Sequence, residues 1–132
     1  MTKATKSKQL TFEMENKVGL LAEISATLSA VEVNITALCA YQMDDRAYFM
    51  MITDDNAKAK RILKKMDIQA EYEPVVVVDM PNKAGELEKV SALLSEAGID
   101  IHYIYGTAGA KRSTFCVFKT NKDTKVLKLI NK

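Results

Sequence analysis

The chain has 132 residues, 48% apolar and 27% charged, a globular balance that suits one compact domain or two small units sharing a core. Nineteen basic side chains against 17 acidic leave a net charge of +2, too small an excess to argue for nucleic acid. No apolar run approaches the ~20 residues of a membrane span, and the lysine-rich start lacks the apolar stretch of a secretion signal, so the cytoplasm is the expected compartment.

Residues 1–7, with Lys3 and Lys6, are expected as a flexible tail. Residues 9–14 read as a short strand. Asn16 can then cap a helix, because Leu20, Leu21, Ile24, Leu28 and Val31 recur at helical spacing. Residues 34–42 form a second strand, Asp44-Asp45 a polar hairpin turn, and residues 47–53 a third strand. Residues 54–56 cap a second helix with Ala59, Ile62, Leu63 and Met66 on one face. Residues 69–80 are extended throughout. Their first half reads as the fourth strand of one unit and residues 75–80 as the first strand of the next, with Pro74 marking the change because proline cannot donate to a central ladder.

The pattern then repeats. Asn16-Lys17-Val18-Gly19 returns as Asn82-Lys83-Ala84-Gly85, 66 positions later, and at that offset Leu21 meets Leu87, Ser25-Ala26 meets Ser91-Ala92, Leu28-Ser29 meets Leu94-Ser95, Ile35 meets Ile101 and Phe49 meets Phe115. Such a register marks an internal duplication. The second copy is expected as a helix over 84–97, a strand over 100–107, a turn at Ala108-Gly109-Ala110, a strand over 113–119 and a helix over 123–131. The boundaries are then 8–74 and 75–132. The second unit has no residues left for a last strand, which leaves an edge beside residues 75–80; sheets cover such edges, and a homodimer is the expected cover.

The repeated loop suggests chemistry. The first N–H groups of a helix lack intrahelical partners and carry partial positive charge, so they accept a carboxylate, and glycine lets a ligand approach the backbone. Asn16 and Asn82 can cap the helix or meet a ligand. Asn34, between Val33 and Ile35, and Asp100, between Ile99 and Ile101, offer side-chain oxygens for an ammonium group. Together these describe a site for a zwitterion; the same residues equally describe a well-capped turn and a strand start.

The run Phe12-Glu13-Met14-Glu15-Asn16-Lys17-Val18-Gly19-Leu20-Leu21, followed by Ile24, Leu28 and Val33-Asn34-Ile35, resembles the ACT domain signature. So does Val78-Asp79-Met80-Pro81-Asn82-Lys83-Ala84-Gly85, followed by Leu87, Val90, Leu94 and Ile99-Asp100-Ile101. The resemblance covers nearly the whole chain from Lys8. It implies an α+β chain of two ferredoxin-like βαββαβ units with antiparallel sheets, paired side by side, with helices on one face and the last strand of the second unit missing. It further implies a regulatory protein without catalysis or cofactor, which binds a free amino acid at the interface of paired units. Carried over residue by residue, the binding positions are Asn16, Val18, Gly19, Leu20 and Asn34, and Asn82, Ala84, Gly85, Glu86 and Asp100. Val18 and Ala84 stand where the family often has proline, and Asp100 where asparagine is more usual, so the two sites need not be equal.

Other residues add no chemistry. Cys39 and Cys116 lie in separate apolar stretches and His102 is the sole histidine, so no zinc set assembles and the thiols are expected free and buried. His102 shares a strand face with Asp100 as a surface polar pair, while Tyr103 and Tyr105 share the other with Ile99 and Ile101. The methionines read as packing, and the lysines of 58–65 and 122–132 as solvated helix faces. No nucleophile, base and oxyanion set appears, so no enzyme is expected. Two rivals stand beside the sensor: a subunit that docks onto a metabolic enzyme or regulator without a ligand, and an RNA-recognition module. The second rests on Lys111-Arg112-Ser113-Thr114-Phe115-Cys116-Val117-Phe118, which lacks that motif's glycines.

Overall fold

β-branched and aromatic residues make strands wherever they meet the polar turns and the two Asn-Lys-x-Gly loops. In the computed structural model, which describes residues 1–108 and 113–132, the elements are β1 (Lys3–Glu15), α1 (Leu20–Ala30), β2 (Ile35–Met43), β3 (Arg46–Thr53), α2 (Asn56–Lys65), β4 (Glu71–Pro81), α3 (Glu86–Glu96), β5 (Ile101–Ala108), β6 (Ser113–Thr120) and α4 (Asp123–Ile130). Gly109 and Ala110 of the expected second turn lie outside the described residues. Contacts divide the chain into Gln9–Glu73, the first unit, and Met1–Lys8 with Pro74–Lys132, the second.

In the first unit the strand order is β2-β3-β1, all pairs antiparallel. The Asp44-Asp45 turn closes the β2–β3 hairpin with Met43 opposite Arg46, and Asp44 takes the positive φ of 56° that aspartate tolerates better than most residues. Period two puts Leu10, Phe12, Phe49 and Met51 on the helix side, against Ile24 and Leu28 of α1 and Ala59 and Leu63 of α2. The Phe12 and Phe49 rings stack at 4.9 Å. On the other face Tyr41 stacks on Tyr48 at 5.2 Å. Residues 71–73 of β4, next to β1 in the strand order, form the fourth strand, and the buried Gln9 amide donates to Glu73 Oε1 at 2.9 Å.

The second unit repeats this plan as β4-β6-β5 around Val76, Val78, Met80, Val90, Leu94, Phe118 and Val126. No strand follows α4 among the described residues, yet the edge of β4 is not bare. Residues 3–8 of β1 occupy it, so the expected loose tail is strand from Lys3 onward. Ala4 is buried in this unit's core, and Asn131 clasps it: Ala4 N–H donates to Asn131 Oδ1, and Asn131 Nδ2 donates to Ala4 O, both at 2.7 Å. The reason is general, since the outward N–H and C=O groups of an inner strand need a ladder partner.

The duplication has one slip. Leu38 and Ile104 keep the offset of 66, but Phe12 faces Phe49 where Val78 faces Cys116, so the counterpart of Phe49 is Cys116 and not Phe115. The extra residue falls between β5 and β6, and a one-residue shift moves a side chain to the opposite face. Phe49 is therefore core and Phe115 exposed. Both units share a bulge at the start of the second strand, Ile35/Ala37 and Ile101/Tyr103. It breaks the alternation there: Ile101 packs on the core, while Tyr103 and Tyr105, opposite Lys119 and Val117, face away, contrary to the shared face expected. Cys39 and Cys116 are free, and burial pushes the Cys116 thiol up.

Candidate functional site

β1 ends at Glu15, and Asn16 N–H donates to Asp45 O at 2.9 Å, which ties the loop to the β2–β3 hairpin. Gly19 is the residue before α1, with φ 86°, a left-handed conformation that costs other residues strain. Gly85 repeats it before α3 with φ 92°. Among the described residues no side chain caps either helix, so Asn16 and Asn82 are not the caps expected, and the second copy's helix begins at Glu86 instead of residue 84. The Asn82 Oδ1 instead accepts from Thr114 Oγ1 at 3.3 Å. The first intrahelical bond of α1 runs from Glu23 N–H to Gly19 O, which leaves the N–H groups of Leu21 and Ala22 ahead of it.

Two cavities of the first unit flank this loop. The larger, about 410 Å³, has an apolar floor of Met14, Leu20, Met66 and Ile68 and a rim of Glu15, Asn16, Lys17, Glu23 and Asp67. The smaller, about 270 Å³, runs past Gly19 and Leu21 to Ala40, Tyr41, Ala47 and Phe49, sharing Asn16, Lys17 and Leu20. Lys17 Nζ and Glu23 Oε2 pair at 3.1 Å, half-exposed and so individually weak. Thus the structure brings Asn16, Gly19 and Leu20 together. Val18 stands fully exposed at the loop tip and lines neither cavity.

Asn34 is not part of this group. The α1 helix carries the chain back along the sheet before β2 begins, so Asn34 lies at the far end of β2 from the Asp44-Asp45 turn, a span of about 30 Å for nine residues. There it serves the fold: Asn34 N–H donates to Asp54 Oδ1 at 2.9 Å and Asp54 N–H to Asn34 O at 3.0 Å. Asp100 repeats this, its N–H donating to Asn121 Oδ1 at 3.0 Å. Asp100 and His102 approach to 3.7 Å, both exposed. Within one unit, then, no zwitterion spans the Asn16 loop and Asn34. Glu15, Lys17, Met66, Asp67 and Ile68 escaped the sequence reading. The last three arrive from the end of α2, and no local pattern links them to the loop.

The second loop differs in charge. Ala84 and Gly85 are exposed, but Glu86, where the first unit has Leu20, is buried and pairs with Lys89 at 2.9 Å. The Lys89 ammonium holds the Glu86 carboxyl below its ordinary 4.5, against the opposing effect of burial. A ligand carboxylate approaching this helix start meets a like charge. Because the folded pKa is depressed, the stability that Glu86 contributes is present above the unfolded value and lost as pH falls through the folded one. Urea midpoints followed from about pH 5 to about pH 3 are expected to fall more steeply for wild type than for Glu86→Gln; parallel curves would refute the pairing's contribution.

Among the described residues no group of three or more metal-ligating side chains assembles, and no helix is long and apolar enough to cross a membrane. None of the curated proteins matches the chain in sequence. The family described as an ACT domain pair matches residues 5–132. Protein BT0572 from Bacteroides thetaiotaomicron has a similar structure, with a TM-score of 0.89 and 30% identity over 97% of this chain and 88% of its own. The ligand-free regulatory subunit of aspartate kinase from Thermus thermophilus is similar at a TM-score of 0.69 and 11% identity, over 97% and 94% of the two chains. Aspartokinase III from E. coli, in complex with lysine and aspartate, matches at 0.59 and 16%, over 97% of this chain and 31% of that one. At these identities the last two likenesses concern the fold.

Proposed function

The chain belongs to the ACT domain pair family, and from that premise we propose that it is a non-catalytic regulatory protein whose first unit senses a free amino acid in the cavity lined by Asn16 and Leu20, at the helix start that Gly19 sets. The observation that carries this reading is the larger cavity. Its volume lies in the range of small-molecule sites, its floor is apolar, and both signs of charge stand on its rim. The free Leu21 and Ala22 N–H groups, with the Asn16 amide and Lys17, suit a carboxylate. Glu15 and Asp67 suit an ammonium. The aspartokinase complex with lysine and aspartate supports the reading by likeness of fold alone. A sensor of this kind acts through a partner, a metabolic enzyme or regulator or a second copy of the chain, by favouring the arrangement that binds the ligand better.

A thermal-shift screen against the twenty amino acids at millimolar concentration tests this. A ligand at ~100 times its dissociation constant adds about 2.7 kcal/mol, a shift of several degrees. One amino acid or a related group is expected to raise the midpoint, Gly19→Val to abolish the effect, and Gly85→Val to leave it in place. No shift with any amino acid would sink the proposal.

A further inference from the structure

The second unit holds a groove that the sensing role does not use. It measures about 700 Å³ and is formed at the start of α4 by Asn121, Lys122, Asp123, Thr124, Lys125 and Lys128, with Lys6 and Pro74. Four lysines thus line one concavity, Lys6 arriving from the opposite end of the sequence; its ammonium reaches Thr124 Oγ1 at 3.5 Å, and that of Lys125 reaches Ala97 O at 3.4 Å. The one carboxylate among them is already engaged. Asp123 Oδ1 accepts from Thr120 Oγ1 at 2.6 Å, and its Oδ2 pairs with Lys119 at 3.6 Å. The Lys122 and Lys128 ammonium groups have neither an ion pair nor a hydrogen bond among the described residues.

The first unit shows that the fold does not demand this charge. There Thr53 Oγ1 donates to Asn56 Oδ1 and Asp55 N–H donates to Thr53 Oγ1, as Thr120 does to Asp123 and Lys122 N–H does to Thr120 Oγ1 in the second. In that frame Asp54 and Asp55 become Asn121 and Lys122, while Lys58 and Arg61 become Lys125 and Lys128. The first unit therefore balances two cations with two anions, and Asp55 caps its helix by accepting from Lys58 N–H at 3.0 Å. The second unit has lost both acids and gained one, Asp123 in place of Asn56, and a lysine stands in place of the cap, at the end of the helix that already carries positive charge. Like charges one turn apart repel, and an anion in the groove relieves that repulsion.

We propose that this groove binds a small polyanion, a phosphorylated metabolite with at least two negative charges. Its volume falls within the range of small-molecule sites, and its lysines lie on two turns of one helix plus a single strand residue, which suits a compact anion better than an extended chain. Lysine holds phosphate as a point charge without the fixed fork of arginine. The site is independent of the amino-acid cavity.

Inorganic pyrophosphate at about 5 mM is the probe, compared with sodium chloride at equal ionic strength, since screening alone also relieves repulsion. Pyrophosphate is expected to raise the unfolding midpoint by several degrees beyond chloride. The double variant Lys122→Gln/Lys128→Gln, which removes no buried side chain, is expected to lose that increment while matching or exceeding the wild-type midpoint in chloride. Amide shift changes on titration are expected to centre on residues 121–128 and Lys6. Equal shifts in chloride, an increment that survives in the variant, or shift changes centred elsewhere would each overturn the proposal. So would binding of a glutamate-rich peptide without pyrophosphate, which reassigns the groove to an acidic protein segment.

Discussion

Deleting residues 2–8 is expected to lower the midpoint of thermal unfolding by roughly 10–20 °C, through the second unit. The segment carries no predicted helix or motif and three lysines, which is why it reads as a tail. In the structure it is the fourth strand of the unit formed with Pro74–Lys132. Its loss breaks both bonds of the Asn131 clasp, uncovers the side chains beneath Ala4 and strips the ladder from one edge of β4. At about 1 kcal/mol for each net hydrogen bond, a handful of such bonds with the lost burial comes to about 3–5 kcal/mol. Hydrogen exchange tests where the loss falls. Amides of Val76 and Val78 are expected to lose protection, while those of Leu10 and Phe12, in the other unit, change less. An unchanged midpoint would show that the strand contributes nothing and restore the reading of a loose tail. Asn131→Ala is the milder variant, removing the clasp alone at about 1–2 kcal/mol.

Gly106→Ala is expected to destabilise the chain by about 2–3 kcal/mol, a large effect for one methyl group. Gly106 lies opposite Cys116 on the β5–β6 ladder, and a Cβ there would meet Phe115 O at 2.5 Å, Cys116 Sγ at 2.7 Å and Cys116 Cα at 2.9 Å. Two of these atoms are backbone and cannot rotate away, so the strands must separate or one must bend. The first unit provides the control. Its equivalent position is already alanine, Ala40 opposite Phe49. Urea unfolding of Gly106→Ala against Ala40→Gly separates the readings: a steep loss in the first and a modest one in the second supports close strand approach at Gly106. Similar small changes at both sites would refute it. Combining Gly106→Ala with Cys116→Ala is expected to recover only part of the loss, because the Phe115 carbonyl remains.

The duplication, the order of the elements and the buried faces of the helices were legible from residue spacing, because each is a local property. Leu20, Ile24 and Leu28 recur at helical spacing, the Asp44-Asp45 turn sits between two apolar runs, and the Asn-Lys-x-Gly loop appears twice before a helix. The candidate site was legible by half. Asn16, Gly19 and Leu20 are neighbours in sequence and stay neighbours in space, whereas Met66, Asp67 and Ile68 join them only because α2 ends beside the loop. Asn34 lies away from that loop within the unit for the converse reason: helix α1 returns the chain to the other end of the sheet, a fact of topology that no spacing encodes.

What only the tertiary structure decided follows from pairing between distant segments. The register of β6 shifted by one residue, which spacing at an offset of 66 concealed because Phe115 and Cys116 are both apolar enough to fill the pattern. Residues 3–8 became a strand because an unsatisfied ladder awaited them more than 65 positions away, not through any preference of their own. The four lysines that line the groove of the second unit come together for the same reason. Three follow one helix and could be read together, but Lys6 reaches them only through that borrowed strand. Periodicity reports which face of an element is buried; backbone hydrogen bonding between remote segments settles what it is buried against.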